Sequence, residues 1–459
     1  MDVEIPESRV REAVRAVCEL VGGEPGGRAL LVGGFVRDAL LGRPAEEVDI
    51  EVYGVAPERL LQILEARFRT DLVGAAFGVI KLHGVPVDVS LPRRESKAGL
   101  GHRGFEIRSD PNLSPAEAAA RRDFTINAMA FDPLTGELID PFGGVRDLAT
   151  RMLRHTSDHF SEDPLRVLRG MQFAARLECA VAPETVALCR SIEPEGLARE
   201  RVFDEWRKLI LLGVAISRGL AFLRDCGWVR HYPELEALIG CEQEPDWHPE
   251  GEVWVHTLHC MDAFARGRTA DAREDLIVGL AVLCHDFGKP ATTVREGGRI
   301  RSPGHEAAGA APTRAFLGRM TNREDLIDAV VALVTHHLRP QQYHEAGAGD
   351  GAIRRLARAV GRIDRLVRVA EADMQGRPGL PRPESAAGAW LLARAEALAV
   401  KDAAPRPIVM GRHLLALGLT PGPALGALLR VCYEAQLDGV FTTLDAGIEF
   451  ARRAAGGPR

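Results

Sequence analysis

Acidic and apolar residues alternate in Glu47-Val48-Asp49-Ile50-Glu51, ten residues beyond Arg37 of Leu31-Val32-Gly33-Gly34-Phe35-Val36-Arg37-Asp38. Side chains at i, i+2 and i+4 of a β-strand share one face. The alternation therefore predicts a strand with three carboxylates pointing the same way, a set of hard oxygen donors suited to Mg²⁺. An apolar strand is expected to run into Gly33-Gly34. The two glycines let the backbone approach a triphosphate closely, with amides and Arg37 as donors. Such parts build a two-metal nucleotidyl-transfer site. Taken singly, Gly-Gly is a common turn and an acidic strand end is usually a solvated edge; the joint pattern is the informative one.

A third carboxylate is expected on a neighbouring strand. Gly78 to Leu91 reads as a hairpin in which Asp88 is flanked by apolar residues on the second strand. An acid in that setting is paired or functional, because burying it unpaired is costly.

The chain of 459 residues should hold about three domains. Its 46% hydrophobic and 27% charged residues are ordinary for a globular protein. No apolar run approaches the ~18 residues of a spanning helix, and the acid-rich start does not read as a signal peptide. Eight scattered cysteines without a C-x-x-C pair read as reduced core residues of a cytoplasmic protein. A net charge of −6 excludes an indiscriminate nucleic-acid binder, so any RNA contact must come from local basic patches.

Residues 1–25 predict a short amphipathic helix ending at Gly22-Gly23, and strands then alternate with short helices to about residue 142. From Asp140-Pro-Phe-Gly-Gly the pattern turns helical and stays so, with periodic stretches at Leu165–Leu177 and Val202–Leu212. Breaks fall at 240–251, 345–351 and 376–388. The segment from Arg93 to Ala120, with Arg93, Arg94, Lys97, Arg103 and Arg108 and with Gly99, Gly101 and Gly104, reads as a mobile basic loop.

Three further motifs stand out. Arg121-Arg122-Asp123-Phe-Thr-Ile-Asn127 alone would be a surface turn. Glu162-Asp163-Pro-Leu-Arg166-Val-Leu-Arg169 alone would be a capped helix start. The ordered set His256, His285-Asp286, His305, His336-His337 and Asp373 is harder to attribute to chance than any single histidine.

The pattern G-G-x-V-R-D followed by paired acids resembles motif A of the nucleotidyltransferase superfamily that includes DNA polymerase beta. Together with R-R-D-F-T-I-N-A and E-D-x-x-R it resembles the class II tRNA nucleotidyltransferases, or CCA-adding enzymes, and the bacterial poly(A) polymerases. The family's Asp-x-Asp pair falls on Glu47 and Asp49, a departure in its first member, and a register shift to Asp49/Glu51 stays open. The resemblance implies an α+β protein: an α/β head (1–155), an all-α neck (156–245), an HD domain (246–400) and a helical tail (401–459). It implies Mg²⁺ on Glu47, Asp49 and Asp88, with Glu51 as a further candidate. Gly33, Gly34 and Arg37 would meet the triphosphate. Arg122 and Asp123 would grip the ribose, where Asp123 can accept from a 2′-hydroxyl. Asp163 and Arg166 would read the base edge, with Arg169 beside the triphosphate or base. Glu200 to Glu205 fits a motif that braces the fold.

The histidine set resembles the HD metal-dependent phosphohydrolases. By that resemblance His256, His285, Asp286 and Asp373 hold a divalent transition metal such as Ni, Mn or Co. His305, His336 and His337 would serve a second metal or a phosphate, and His259 competes with His256. The implied function is addition of CMP and AMP from CTP and ATP to the tRNA 3′ acceptor arm by a cytoplasmic monomer or dimer. A CC- or A-adding specialist, a poly(A) polymerase, an RNA-linked HD phosphohydrolase and a non-catalytic tRNA binder are the rivals.

Overall fold

The computed structural model describes residues 8–44, 47–73, 78–97, 105–269, 271–379 and 385–455. Contacts divide the chain into two compact units, the first ending at His231 and the second beginning at Tyr232.

The first unit opens with the helix Ser8–Gly22, which lays Val14, Val17 and Val21 onto a sheet. The sheet strands are β1 (Arg28–Val32), β2 (Val48–Tyr53), β3 (Thr70–Val73), β4 (Val79–Leu82) and β5 (Val87–Ser90). After the separate hairpin β6 (Arg93–Lys97) and β7 (Phe105–Ser109) come β8 (Ala130–Phe131) and β9 (Leu138–Ile139). The seven-stranded order is β3-β4-β5-β2-β1-β8-β9, and only β2 and β5 pair in parallel. The expected hairpin of 78–91 is β4–β5.

Alternation holds in β2. Val48, Ile50 and Val52 are buried, whereas Asp49 and Glu51 take the opposite face. That second face is not bare: Leu30, Val32, Tyr53, Ala118 and Ala130 form a small apolar cluster beside the acids. Ile50 pairs with Leu31 on one side and Val89 on the other, all three fully buried.

The segment 93–120 differs from the expected mobile loop. Residues 98–104, with Gly99, Gly101, Arg103 and Gly104, lie outside the described residues. What flanks them is the β6–β7 hairpin, then the helix Pro115–Ala119 with a Ser114/Glu117 capping box. Antiparallel pairing satisfies the backbone of the hairpin strands, which composition alone counts as part of the loop.

Beyond residue 142 helices dominate, interrupted by two small sheets that periodicity missed: Met152–Leu153 with Ala180–Val181, and Val294–Glu296 with Arg299–Arg301. The helix Leu165–Leu177 begins where Asp163 Oδ1 accepts from the Leu165 amide at 3.1 Å, and ends at Glu178 in a left-handed conformation (φ 56°). It packs against the helices Arg199–Leu212 and Ile216–Asp225.

In the second unit, Tyr232 stacks edge-on against Phe316 and Glu234 pairs with Arg319. The helix Val253–Arg266 packs on Ile363–Gln375 and on Ala272–Cys284, whose residues from Asp275 onward are all buried. Helices Pro423–Leu437 and Leu444–Ala455 close a separate cluster around Leu414, Cys432 and Phe441. Among the described residues no helix is long and apolar enough to cross a membrane.

The two faces of β2 make a direct test. Ile50→Ala should destabilise the protein by roughly 2–5 kcal/mol, because it hollows the core. Asp49→Ala, on the cleft face among other acids, should leave stability unchanged or raise it, because it removes a desolvated, repelled carboxylate. Chemical denaturation of both variants checks this, and equal losses would contradict the alternation.

Candidate active site and metal centre

A cleft of about 460 Å³ in the first unit is lined by Gly33, Gly34, Asp49 and residues of the second and third motifs. Seven arginines reach it (Arg37, Arg121, Arg122, Arg166, Arg169, Arg176 and Arg201) against the carboxylates Asp49, Asp123 and Asp163. A chain of net charge −6 thus concentrates positive charge where a triphosphate would lie.

Gly33 joins β1 to the helix Gly34–Leu40 with φ 72°, a conformation open to glycine; a Cβ there would lie 3.0 Å from Arg122 Nη1 and 3.7 Å from Asp49 Oδ2. The turn therefore brings backbone, acid and guanidinium to one point. Arg37 is buried. Its Nε and Nη2 donate to Asp38 at 2.9 and 2.7 Å, and its Nη1 donates to Asn127 Oδ1 at 2.6 Å.

Asp49 and Asp88 are direct neighbours across the parallel β2–β5 pair. The protein around Asp49 strips enough water to raise its pKa; Arg122 opposes this, while Asp88, Glu47 and Glu51 add to it. This mutual repulsion of oxygens is what a bound cation would relieve, and the donors are of the hard kind Mg²⁺ prefers, but the described residues do not bring Glu47, Asp49, Asp88 and Glu51 into a close-set donor group. Lys81, across from Asp88 on β4, lies 3.0 Å from its Oδ2. Glu47 is exposed just ahead of β2. Glu51 accepts from the Tyr53 hydroxyl at 2.6 Å and lies 3.5 Å from Arg122, so protein partners already occupy it.

Asp123 is buried and heavily engaged. Oδ1 accepts from the Phe124 amide (2.8 Å) and Asn127 Nδ2 (3.0 Å), while Oδ2 sits 2.7 Å from both Nε and Nη2 of Arg169. Burial would raise its pKa, but Arg169 and these donors hold it below the usual value. A ribose hydroxyl at Asp123 would share oxygens that Arg169 already uses. Arg166 donates to the carbonyls of His159 (2.6 Å) and Arg121 (2.7 Å), and Asp163 accepts from Arg201 at 2.8 Å. Arg201, read from sequence within a brace, thus stands beside Asp163 in the cleft. Phe173, which sequence reasoning overlooked, has Arg37, Arg169 and Arg176 within 5.2–5.9 Å of its ring.

The second unit holds the three groups of close-set metal donors found among the described residues: His256/Cys260/His285/Asp373, His248/Glu250/His256 and Asp286/His305/His337. His285, His305 and His337 each place Nδ1 2.7–2.9 Å from a backbone carbonyl, of Val282, Ser302 and Val334. Their Nε2 atoms are then acceptors. Even so, Nε2 of His305 and His337 face each other at 3.3 Å, and His285 Nε2 finds no hydrogen-bond partner. Opposed lone pairs in a buried pocket call for a cation between them.

Carboxylates complete the set. Asp286 Oδ2 lies 3.2 Å from His285 Nε2 and 2.8 Å from Lys289, and Oδ1 lies 3.4 Å from His305. Asp373 Oδ1 is 3.0 Å from His256 Nε2 and 2.9 Å from Arg377. Burial would raise both acids; His285 and Lys289 hold Asp286, and Arg377 and His256 hold Asp373, well below the usual range. Burial, then the neighbouring His285, pushes His337 down to about 4, leaving a neutral imidazole. The residues fit a transition metal.

His336 stands apart from these groups: its Nδ1 lies 2.9 Å from both the Ala332 carbonyl and the Thr335 hydroxyl. Being adjacent in sequence to His337 did not place it on the same side. His259 is exposed and His256 fully buried. Sequence reading missed Cys260 and Glu250, although Cys260 follows His256 by one helical turn. Glu250, 2.7 Å from His256 Nδ1, is held far below its usual pKa by His248 and His256 despite burial. A cavity of about 260 Å³ over this centre is lined by Trp247, Lys289, His305 and Arg377 among others.

Residues 29–154 match the poly A polymerase head domain. A multifunctional CCA protein of Xanthomonas campestris is 38% identical over 416 residues, spanning 87% of this chain and 95% of its own length. That of Halorhodospira halophila is 39% identical over 382 residues, 80% of this chain and 88% of its own. Among solved structures, a Bacillus stearothermophilus CCA-adding enzyme in complex with CTP superposes with a TM-score of 0.67 at 23% identity, covering 98% of this chain and all (100%) of that one. A Thermotoga maritima CCA-adding enzyme complexed with tRNA gives 0.59 at 20% identity, with 99% and 97% covered. At such identities these two likenesses speak for the fold, a mixed α/β head with a largely helical remainder. The curated relatives speak for more: this chain is a nucleotidyltransferase and belongs to the multifunctional CCA protein family.

Proposed function

We propose that the first unit adds CMP and AMP, from CTP and ATP, to the 3′ end of tRNA without a nucleic-acid template. The cleft that joins Asp49 to seven arginines carries this reading. Glu47, Asp49 and Asp88 would hold Mg²⁺, which when bound neutralises charge on the reacting phosphoryl oxygens. We favour the Glu47/Asp49 register because Glu51 is shared between Tyr53 and Arg122. The Gly33-Gly34 backbone and the arginines seat the triphosphate. The tRNA 3′-oxygen then attacks the α-phosphorus, and pyrophosphate departs. Arg122 and the Asp123–Arg169 pair orient the ribose, and Asp163 and Arg166 present the donor–acceptor pattern that selects C or A.

Four regions suit these roles: head 1–155, neck 156–245, HD domain 246–400 and tail 401–459. In the HD region, His256, His285, Asp286 and Asp373 would hold a Ni, Mn or Co ion, with His305 and His337 beside it. Such a metal supplies Lewis acidity toward a phosphoester. Lys289 and Arg377 line the cavity above it and would hold the phosphate. The protein would act in the cytoplasm, as a monomer or a dimer.

Incubation with Mg²⁺, labelled CTP or ATP, and tRNA lacking CCA, CA or A tests the transferase reading by product length. Asp49→Ala should abolish addition while tRNA binding stays nearly intact; substantial residual transfer would remove Asp49 from the metal site. Asp163→Ala and Arg166→Ala should blur the choice among CTP, ATP and UTP rather than only slow the reaction. Wild-type selectivity in both would end the protein-template reading. His285→Ala should eliminate hydrolysis of phosphomonoesters or 2′,3′-cyclic phosphates, with CCA addition in Mg²⁺ unchanged within a few-fold. No metal-stimulated hydrolysis by the parent protein with Ni²⁺, Mn²⁺ or Co²⁺ would reduce the HD region to a structural role.

A further inference from the structure

The helix Val253–Arg266 carries His256 and, one turn later on the same face, Cys260. Both are fully buried. Residues four apart on a helix project side by side, and Cys260 Sγ lies 3.3 Å from His256 Nε2. With His285 and Asp373 these residues bring four donor atoms within 4.8 Å of one another. A second observation points to a ligand at the same place. His285, 1% exposed, commits Nδ1 to the Val282 carbonyl while its Nε2 makes no hydrogen bond, with Asp286 Oδ2 3.2 Å away. A buried acceptor left this way is costly unless something binds it.

The opposite wall makes room for the sulfur. A Cβ on Gly376, just past the helix that bears Asp373, would collide with Cys260 Sγ, so the thiol and the glycine fit each other. Donor spacing also fits one ion. Bonds of about 2.3 Å to sulfur and about 2.0 Å to nitrogen at a tetrahedral angle separate the two donors by roughly 3.5 Å, near the 3.3 Å found. His256 Nε2 and Asp373 Oδ1, 3.0 Å apart, span another edge of the same set.

We propose that Cys260 is a further, thiolate ligand of the transition metal in the second unit, adding one sulfur to the His256, His285, Asp286 and Asp373 donors given above. The proposal rests on the metal reading of that centre. On binding, the sulfur–metal bond replaces the S–H bond and the proton passes to solvent. A sulfur ligand biases the position toward softer ions and away from Mg²⁺ and Mn²⁺.

The full-length protein, stripped with a chelator and titrated with Co²⁺, gives a readout independent of activity. Visible d–d bands report binding, and a near-ultraviolet sulfur-to-cobalt charge-transfer band reports the thiolate. The parent protein should show both. Cys260→Ser and Cys260→Ala should lose the charge-transfer band and weaken Co²⁺ binding by at least the ~10-fold typical of losing even an outer-shell partner. Circular dichroism of both metal-free variants verifies that each is folded. Cys241→Ser, at a half-buried cysteine outside the donor set, should keep the band. Bound Co²⁺ in the parent without that band, or a band surviving in a folded Cys260 variant, overturns the sulfur ligand alone. Absence of any d–d band in the parent overturns the metal reading and this proposal with it.

Discussion

Asp123 is the joint of the first unit. Its buried carboxylate takes the Phe124 amide and Asn127 on one oxygen and Arg169 on the other, and Asn127 in turn accepts from Arg37. One run of charge-assisted bonds therefore links the glycine turn after β1, the Arg-Arg-Asp segment and the helix Leu165–Leu177. Asp123 is the buried member of the pair and Arg169 is partly exposed, so removing Arg169 would strand the buried carboxylate. The network also positions the side chains around it. Arg37 and Arg169 both lie over the Phe173 ring while each pairs with an acid, Asp38 and Asp123 respectively.

The two units solve opposite electrostatic problems. In the first, arginines crowd a polar cleft whose charge suits an anion. In the second, imidazole nitrogens and carboxylates converge in a buried pocket whose donors suit a cation. Helix ends deliver the second set: His285 and Asp286 follow Ala272–Cys284, His337 follows Glu324–Val334, and Asp373 closes Ile363–Gln375. Nearly every imidazole there is oriented by a carbonyl or carboxylate on its outer nitrogen, which fixes the tautomer before any ion arrives.

Local periodicity made much of this visible in the residues alone. The alternation in β2 put Asp49 on the cleft face, and the apolar strand around Asp88 put that acid beside it. The period-3.6 pattern at Leu165–Leu177 is a helix with those bounds. What escaped were pairings between distant segments. Arg201 meets Asp163 across 38 residues and Arg176 reaches a cleft begun at Gly33, links that no local spacing encodes. The β6–β7 hairpin escaped because a pairing between two segments is not written in the local spacing of either. His336 and His337 parted because neighbouring positions past a helix end project in different directions.

Selection of a base by protein side chains demands that those side chains be stiff. Arg166 meets that demand through two carbonyls on different segments, His159 and Arg121, which fix the plane of its guanidinium. Asp163 is pinned by the Leu165 amide and by Arg201. A free arginine would rotate to suit any base edge and discriminate poorly. Held this way, the pair offers a fixed pattern of donors and acceptors. On the proposed reading, a change from C to A would come from a shift of the helix Leu165–Leu177 as a body, or from exchange of a carbonyl bond for a base contact. Because Arg169 ties that helix to Asp123, the first route would also move the proposed ribose site and couple base choice to sugar position.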